Sequence, residues 1–419
     1  AGDRDVQIRS EKARRFLERC QQHTANLTVE FFDPERNVLK AESLELGNLS
    51  PQGAVVLKCG TRRKVINFSD VNDRLEEGAF TQALIYVARD SVPKLYVLTG
   101  HDEPPLPAMS ELTARLGEEA YVLEEFAINV LDPQIPSDCN VLVINGPKGD
   151  LQLPEVKAIQ EYLQRGGRML VLLEPWRVIS TGVEHFLPML RQNYGIDVGT
   201  DIILSRAKST QEMVLVVFTP NLGLIGVDAP DIPRRGSYNE EHLITRGFDQ
   251  NMVFSLSRSV SLAPEKPEGV AGDILLYSLP GTWAETDLNR LFDERKANPD
   301  EDDPKGPVGV AVAVTASTGV QVADSDRTRD ARIVVVGDQD FVSNDKIRVV
   351  GHWNFLLNSL AWLTETEELV GVRPARQDDP PLQLTANQDR AIAWVTILGA
   401  FQAIVVIGIV IFALRRKYQ

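Results

Sequence analysis

Six polar residues stand directly after short apolar runs, where side chains of these types can bind ligands or react. They are His101, Glu103, Asn145, Glu174, Asp338 and Asp340. In doubly wound α/β sheets, ligands bind outside the carboxyl ends of the strands. If the four runs are neighbouring strands, these residues line one crevice that suits a cation or a loop of a partner. The alternative is purely structural, because Asp, Asn, Gly and Pro are also the ordinary residues of turns.

No catalytic motif accompanies these residues. The sequence has no GxSxG nucleophile elbow and no GxxxxGK[ST] or GxGxxG phosphate-binding loop. The histidines occur singly, and Asp338 with Asp340 forms only a weak D-x-D pair, so no metal site is indicated. Cys20, Cys59 and Cys139 form no CxxC motif, and three cysteines can form at most one disulfide. We predict that they serve mainly as small buried hydrophobic side chains. The sequence therefore predicts no catalytic residues, no metal and no cofactor.

Composition and charge exclude several classes of protein. The chain has 419 residues, of which 43% are hydrophobic and 25% charged, as is ordinary for a globular protein. Asp and Glu number 59 against 44 Lys and Arg, which gives a net charge of −15. Such an acidic chain is a poor partner for nucleic acid, because phosphate contacts need clustered Lys and Arg. The mean hydropathy of −0.14 excludes a polytopic membrane protein but allows one span.

One membrane-spanning helix is predicted near the C-terminus. Residues 391–414 are 24 residues without a charge, enough to cross about 30 Å of hydrocarbon in the lipid bilayer. The alternative is a buried core helix, which rarely runs this long without a charge. Gly399 and Ala403 form a small-xxx-small pair that would let a second membrane helix pack closely.

The charges beside this segment predict its orientation. A basic cluster at 415–417 follows it, and basic clusters next to a span usually lie on the cytoplasmic side. We therefore expect a cytoplasmic C-terminus and residues 1–390 on the periplasmic side of a bacterial inner membrane. Export of that part requires an upstream signal or span, since the first residues are too charged to be a signal peptide. A tail-anchored protein that faces the cytoplasm is the alternative, and it conflicts with the charge rule.

An alternation of apolar runs with helices predicts an α/β fold. The runs at 94–100, 139–147 and 168–175 are separated by helical segments, which indicates βαβ units. The expected architecture is a mostly parallel, flavodoxin-like or Rossmann-like sheet. The run at 331–341 predicts a further strand, and residues 352–364 predict a strongly amphipathic helix that contains two Trp.

The chain divides into five predicted parts. They are a small N-terminal α/β module (1–90), an extracytoplasmic α/β domain (91–365), a Pro-rich stalk (366–390), the transmembrane helix (391–414) and a cytoplasmic tail (415–419). In the first part, residues 27–34 predict a strand and the residues around Gly60 predict a hairpin. In the second part, residues 196–330 are less regular and form either an insertion or further strands of the same sheet.

Several segments resemble the GldG-type auxiliary proteins of ABC transport systems, which are associated with gliding motility. The similar segments include LYVLTGHDEP at 95–104, the stretch 138–175, and RIVVVGDQDFVSN at 332–344. The most specific block consists of Gly337, Asp338, Asp340, Phe341, Asn344, Asn354, Asn358, Trp362 and Leu363. The resemblance implies an extracytoplasmic α/β domain related to flavodoxin-like or amidotransferase-like folds but without their catalytic residues. It also implies an ABC permease and an ATPase as partners.

The leading hypothesis is a non-catalytic, membrane-anchored auxiliary subunit of an ABC transporter. The basis is the predicted span, its basic tail and the lack of catalytic motifs, with ATP hydrolysed by a partner subunit. One alternative is a membrane-anchored receptor for a solute or polymer, since an acidic outer domain suits cationic ligands. Another is a hydrolase that uses His101, Glu103, Glu174 and Asp338 in the strand-end crevice.

Overall fold

A computed structural model gives the structure of the chain. It describes residues 2–24, 26–33, 53–60, 62–67, 92–175, 185–206, 214–222, 236–294, 297–321 and 328–364, together with single positions between 36 and 88. All of these lie in one compact unit of the chain, residues 1–374.

The described residues form the following strands and helices. The strands are β1 (Ala54–Cys59), β2 (Arg62–Asn67), β3 (Lys94–Leu98), β4 (Val122–Phe126), β5 (Val141–Asn145), β6 (Arg168–Leu172), β7 (Ile196–Val198), β8 (Ile202–Leu204), β9 (Leu215–Phe218), β10 (Met252–Ser255), β11 (Val260–Leu262), β12 (Val270–Tyr277), β13 (Trp283–Glu285), β14 (Gly309–Ala316) and β15 (Ala331–Val336). The helices are α1 (Gly2–His23), α2 (Ser110–Glu118), α3 (Leu153–Gln164), α4 (Phe186–Tyr194), α5 (Leu288–Asp293) and α6 (Val350–Leu363).

Seven of the strands form one sheet in the order β12-β14-β15-β6-β5-β3-β4. The five strands from β15 to β4 are parallel, whereas β14 runs antiparallel to β15, and the edge strand β12 runs antiparallel to β14. This confirms the predicted mostly parallel α/β sheet. The parallel strands have the order 2-1-3-4-5, so the chain changes winding direction between β3 and β5.

The parallel strands β3, β5, β6 and β15 are largely apolar because both of their faces are buried, whereas the edge strand β4 is partly exposed and contains Glu124 and Glu125. In β3, Leu95 and Val97 pack on one face with α2 and α6, while Tyr96 and Leu98 pack on the other with α3 and α4. A strand covered on both sides reads as a continuous apolar run, as the sequence does here.

Residues 196–330 contribute to the same sheet and also form smaller ladders. The strands β12 and β14 extend the main sheet, and β9 with β10, β7 with β11, and β8 with β13 make antiparallel pairs. The apolar run 251–264 is divided into β10 and β11 at Leu256, whose φ is +58°. Residues 256–259 link these two strands.

In the N-terminal part, the predicted hairpin is present, because β1 pairs with β2 in antiparallel register. The strand predicted at 27–34 is wrong, since described residues 27–33 form no strand. Their apolar side chains, such as Val29 and Phe31, instead pack beside Leu17 of α1 and Leu57 of β1. The alternation of apolar residues here serves packing rather than strand pairing.

Helix α6 differs from its predicted amphipathic character. From Gly351 to Leu363, every residue except Asn354 is buried. The helix is covered by the sheet and by the segment 236–255, to which Asn358 Nδ2 donates a hydrogen bond of 2.9 Å at the Ile244 carbonyl. A helix enclosed on all sides has no polar face.

The predicted stalk, membrane helix and tail, and with them Gly399 and Ala403, lie outside the described residues. Within the described ranges, no helix combines the length and the apolar character needed to cross a membrane.

Candidate functional site

The carboxyl ends of β3, β5, β6 and β15 are neighbours at one edge of the sheet, as the sequence predicts. The six candidate residues nevertheless fall into three separate places. His101 and Glu103 form one group after β3. Glu174, Asp338 and Asp340 form a second group after β6 and β15, and Asn145 lies inside the core.

In the first group, His101 is held between two glutamates. Its Nδ1 lies 3.2 Å from Oε1 of Glu103, and its Nε2 lies 2.9 Å from Oε2 of Glu155. The three side chains are 7%, 2% and 6% exposed. Glu155 belongs to the first turn of α3, where its carboxylate also accepts a hydrogen bond from the Gln152 backbone N–H.

This arrangement keeps His101 charged. The hydrogen bond with Glu103, with further support from Glu155, raises the pKa of His101 to about 9, although burial acts in the opposite direction. An imidazolium that donates from both nitrogens has no lone pair with which to accept a proton. His101 therefore joins the loop after β3 to the start of α3 and is unsuited to act as a general base at neutral pH.

In the second group, carboxylates organise the turn that follows β15. Glu174 Oε1 accepts hydrogen bonds from the backbone N–H groups of Gln339 (2.9 Å) and Asp340 (3.0 Å). Asp338 accepts from the N–H groups of Phe341 (2.9 Å) and Ser255 (3.0 Å). The turn begins the one-turn 3₁₀ helix Asp340–Val342 and is thereby attached to β10.

The same carboxyl groups have perturbed pKa values. Burial raises the pKa of Glu174 to about 7, and the negative charge of Asp340 adds to this effect. Burial also raises the pKa of Asp338, which the charge of Glu174 raises further. Lys346 offsets part of this negative charge, because its Nζ lies 2.5 Å from Asp340 Oδ2. The side chains of this second group interact mainly with backbone N–H groups of the turn and with neighbouring charged side chains.

Asn145 does not join the crevice. It is 1% exposed, and its Nδ2 lies 3.0 Å from the Met109 sulfur. Its Oδ1 has no hydrogen-bond partner among the described residues. The side chain borders an apolar cavity of about 20 Å³ between the sheet and helices α2 and α6, whose other lining residues are hydrophobic.

Sequence reasoning missed Arg258, a buried arginine that lies beside the second group. It lies in the 256–259 link and is 2% exposed. Its Nε and Nη2 donate to the Gly199 carbonyl, with an Nε distance of 2.7 Å, and its Nη1 donates to the Glu174 carbonyl at 3.3 Å. The signal was a single Arg inside the apolar run 251–264, which has no reason to be buried unless it bonds to something there.

A cavity adjoins Arg258 at the carboxyl edge. It has a volume of about 30 Å³. Its lining residues are Pro147, Lys148, Gly149, Asp150, Leu151, Leu173, Glu174, Phe186, Leu187 and Arg258. In the described ranges, no cluster of three or more His, Cys, Asp or Glu side chains could hold a metal ion.

A family model matches the part of the chain that contains both groups. The family is described as "ABC-type uncharacterized transport system", and the match covers residues 92–358. No curated protein matches the chain significantly.

Among solved structures, the N-terminal domain of mmIFT52 has 12% identity, covers 64% of this chain and 97% of its own, and has a TM-score of 0.42. A ThuA-like protein from Bacteroides uniformis ATCC 8492 has 14% identity, coverages of 66% and 93%, and a TM-score of 0.36. A glutamine amidotransferase from Thermotoga maritima has 12% identity, coverages of 67% and 95%, and a TM-score of 0.30. All three scores are below 0.5, so the fold assignment rests on the strand order alone.

Proposed function

This chain belongs to the "ABC-type uncharacterized transport system" family, and we propose that it acts as a non-catalytic auxiliary subunit of an ABC transporter. The observation that carries the proposal is the extent of the match. Residues 92–358 include all seven strands of the main sheet and both groups at its carboxyl edge. The match also includes the part from Gly337 to Asn358 of the block that is most specific for the GldG-type resemblance, and we extend the proposal to that type.

The bonding of the candidate residues supports a non-catalytic role. His101 donates from both ring nitrogens to Glu103 and Glu155, so a hydrolase would lack its base. Glu174 and Asp338 accept backbone N–H groups of the turn after β15. His101, Glu174 and Asp338 are thus already engaged in positioning loops. In this proposal, the energy for transport comes from a partner subunit that hydrolyses ATP.

The proposed arrangement in the membrane follows the sequence. Residues 391–414 anchor the chain, the short basic tail faces the cytoplasm, and the α/β domain lies on the outer side. The partners are a permease, which packs beside the anchor at Gly399 and Ala403, and an ATPase. The sequence supports the need for a separate ATPase, since it contains no GxxxxGK[ST] motif.

The decisive experiment is purification of the full chain from native membranes in a mild detergent, with mass spectrometry of the co-purified proteins. We expect a polytopic permease and an ATPase with a phosphate-binding loop, in a fixed ratio to the chain. Purification of the chain alone, as a monodisperse species, contradicts the proposal.

A pair of variants tests the packing site separately. Gly399→Leu combined with Ala403→Leu should reduce recovery of the permease, because larger side chains keep helices apart. Gly408→Leu is the matched control, since Gly408 lies about 180° around the helix from Gly399 and about 140° from Ala403, and it should leave recovery unchanged. Equal recovery with all variants would reject this packing face without affecting the subunit assignment.

A further inference from the structure

We propose that the cavity beside Arg258 binds a carboxylate group attached to a small apolar body. The site is independent of the transporter assignment. It lies at the carboxyl edge of the parallel sheet, between the turns that follow β5 and β6, where ligands of such sheets bind. Nothing in the sequence motifs or in the family description assigns a ligand to it.

Arg258 supplies a buried positive charge that lacks a counter-charge in contact. A guanidinium has five N–H groups, and three of those of Arg258 donate to the carbonyls of Gly199 and Glu174. No carboxylate among the described residues lies within ion-pair distance of it. Burial lowers the pKa of Arg258 to about 10 and outweighs the charges of Asp201 and Glu174, which raise that pKa. Burying a charge without an ionic partner is costly, and an anion in the adjoining cavity would offset that cost.

The cavity has three other polar lining residues, Asp150, Lys148 and Glu174, of which Lys148 is also a cation. Asp150 accepts a hydrogen bond of 3.0 Å from the His185 N–H, next to the start of α4. Lys148 donates its backbone N–H to the His101 carbonyl, 2.8 Å away. Glu174 Oε1 accepts the two N–H groups of the turn after β15.

The form of the cavity favours a carboxylate over a phosphate or sulfate. Arginine recognises carboxylates through a planar pair of N–H groups, which matches the two donors that remain on Arg258. The apolar walls, which include Leu173, Phe186 and Leu187, suit a short hydrocarbon part. A phosphate or sulfate dianion would also be repelled by the carboxylate of Glu174, which lines the cavity. Burial raises the pKa of that carboxyl to about 7, so near neutral pH its acid form can donate a hydrogen bond to a monocarboxylate.

The first test is thermal unfolding and calorimetric titration of the full chain in detergent with acetate, propionate and butyrate. We expect Tm to rise with acid concentration, because a ligand that binds only the folded state stabilises it. The matched amides, which have the same shape without the charge, and inorganic phosphate and sulfate should leave Tm unchanged. A rise in Tm that is equal for acids and amides overturns the proposal.

Two variants locate the site. Arg258→Lys retains the charge but loses the planar fork and should weaken binding at least about tenfold. Because Arg258 also holds Gly199, this variant could fail to fold. Leu187→Trp therefore fills the cavity mouth from α4 without changing Arg258 and should abolish the acid effect. Leu131→Trp, at a position that is 95% exposed, is the control and should bind acids like the wild type. Unchanged binding by Leu187→Trp overturns the site.

The carboxylate could belong to a free acid or to a partner protein, and co-purification distinguishes these sources. If small acids bind, the free acid is the ligand. If they do not, loss of a co-purified partner with Leu187→Trp but not with Leu131→Trp assigns the carboxyl to that partner. If neither occurs, the proposed carboxylate site is wrong. Recovery of the permease and the ATPase with every variant would still support the transporter assignment.

Discussion

His101 Nε2 lies 2.9 Å from Glu155 Oε2, the same oxygen that accepts the backbone N–H of Gln152 at 2.7 Å. One carboxylate thus completes the N-terminal cap of α3 and holds the histidine that follows β3. The contact lies at the point where the sheet changes winding direction. This is the usual position of an active site in such sheets, but here it is occupied by a buried ion cluster.

Removing His101 should destabilise the fold strongly. His101→Gln leaves Glu103 and Glu155 buried without their cation, and loss of one partner from a buried ionic cluster costs about 3–5 kcal/mol. Urea unfolding followed by circular dichroism measures the change. The double variant His101→Gln, Glu103→Gln should recover part of the loss, because one of the uncompensated charges is gone. A double variant that loses the sum of the two single effects would show that the two residues do not act together.

The charge of His101 also predicts a pH dependence of stability. Its pKa in the folded state is about 9, raised chiefly by Glu103, against about 6.5 for an ordinary histidine. The folded state therefore binds more protons than the unfolded state between these values. Its stabilising contribution should be complete below about pH 6.5 and disappear as the pH rises to about 9. The free energy of unfolding of His101→Gln should be flatter across that window than that of the wild type.

Glu174 predicts a second pH dependence at lower pH. Burial raises the pKa of its carboxyl to about 7 from 4.5, so the folded state retains a proton that the unfolded state has lost. Stability should therefore fall as the pH rises from about 4.5 to 7. The charged groups that face it are Asp338, Asp340, Lys346 and Arg258.

The test is Glu174→Gln, whose side-chain carbonyl can still accept the N–H groups of Gln339 and Asp340. Unfolding at pH 5, 6, 7 and 8 should give a shallower slope for the variant than for the wild type. Parallel slopes would mean that Glu174 ionises in the folded protein as it does in water.

Asn145 should be replaceable with a gain in stability. Its Oδ1 is buried without a described partner in an otherwise apolar cavity, and such a group costs about 1–3 kcal/mol. Asn145→Leu should therefore raise the free energy of unfolding by about 1 kcal/mol. The matched control is Asn358→Leu, which removes a 2.9 Å hydrogen bond to the Ile244 carbonyl and should lower stability. A loss of stability in Asn145→Leu would imply an unseen partner such as water.

Gly337 should not tolerate alanine, although alanine adds only one methyl group. A Cβ at this position would lie 2.1 Å from the backbone oxygen of Arg258, where the 256–259 link crosses the end of β15. Because neither backbone can yield without breaking the bond from Arg258 N–H to the Gly337 carbonyl, we expect a loss of about 3 kcal/mol or more. Gly117→Ala in α2 meets no atom within 4 Å and should gain about 0.5–1 kcal/mol. Equal stabilities of the two variants would refute the close approach.

The main architecture follows from local patterns in the sequence. Apolar runs such as 141–145 and 168–172 specify strands buried on both faces, and the helices between them require parallel pairing. That in turn places the turn residues after each run at one edge. These inferences hold because strand burial and crossover direction depend on local patterns and on chirality.

The tertiary structure decided which of those residues meet and what each one does. The partner of His101 is Glu155, 54 residues away on α3, and Arg258 reaches the edge from a link that interrupts an apolar run. Helix α6 is buried on all sides, and residues 27–33 pack without pairing, because segments distant in sequence cover them. Periodicity reports only whether a side chain prefers burial. The identity of the atoms that satisfy a buried charge depends on contacts between distant segments, which exist only in the folded chain.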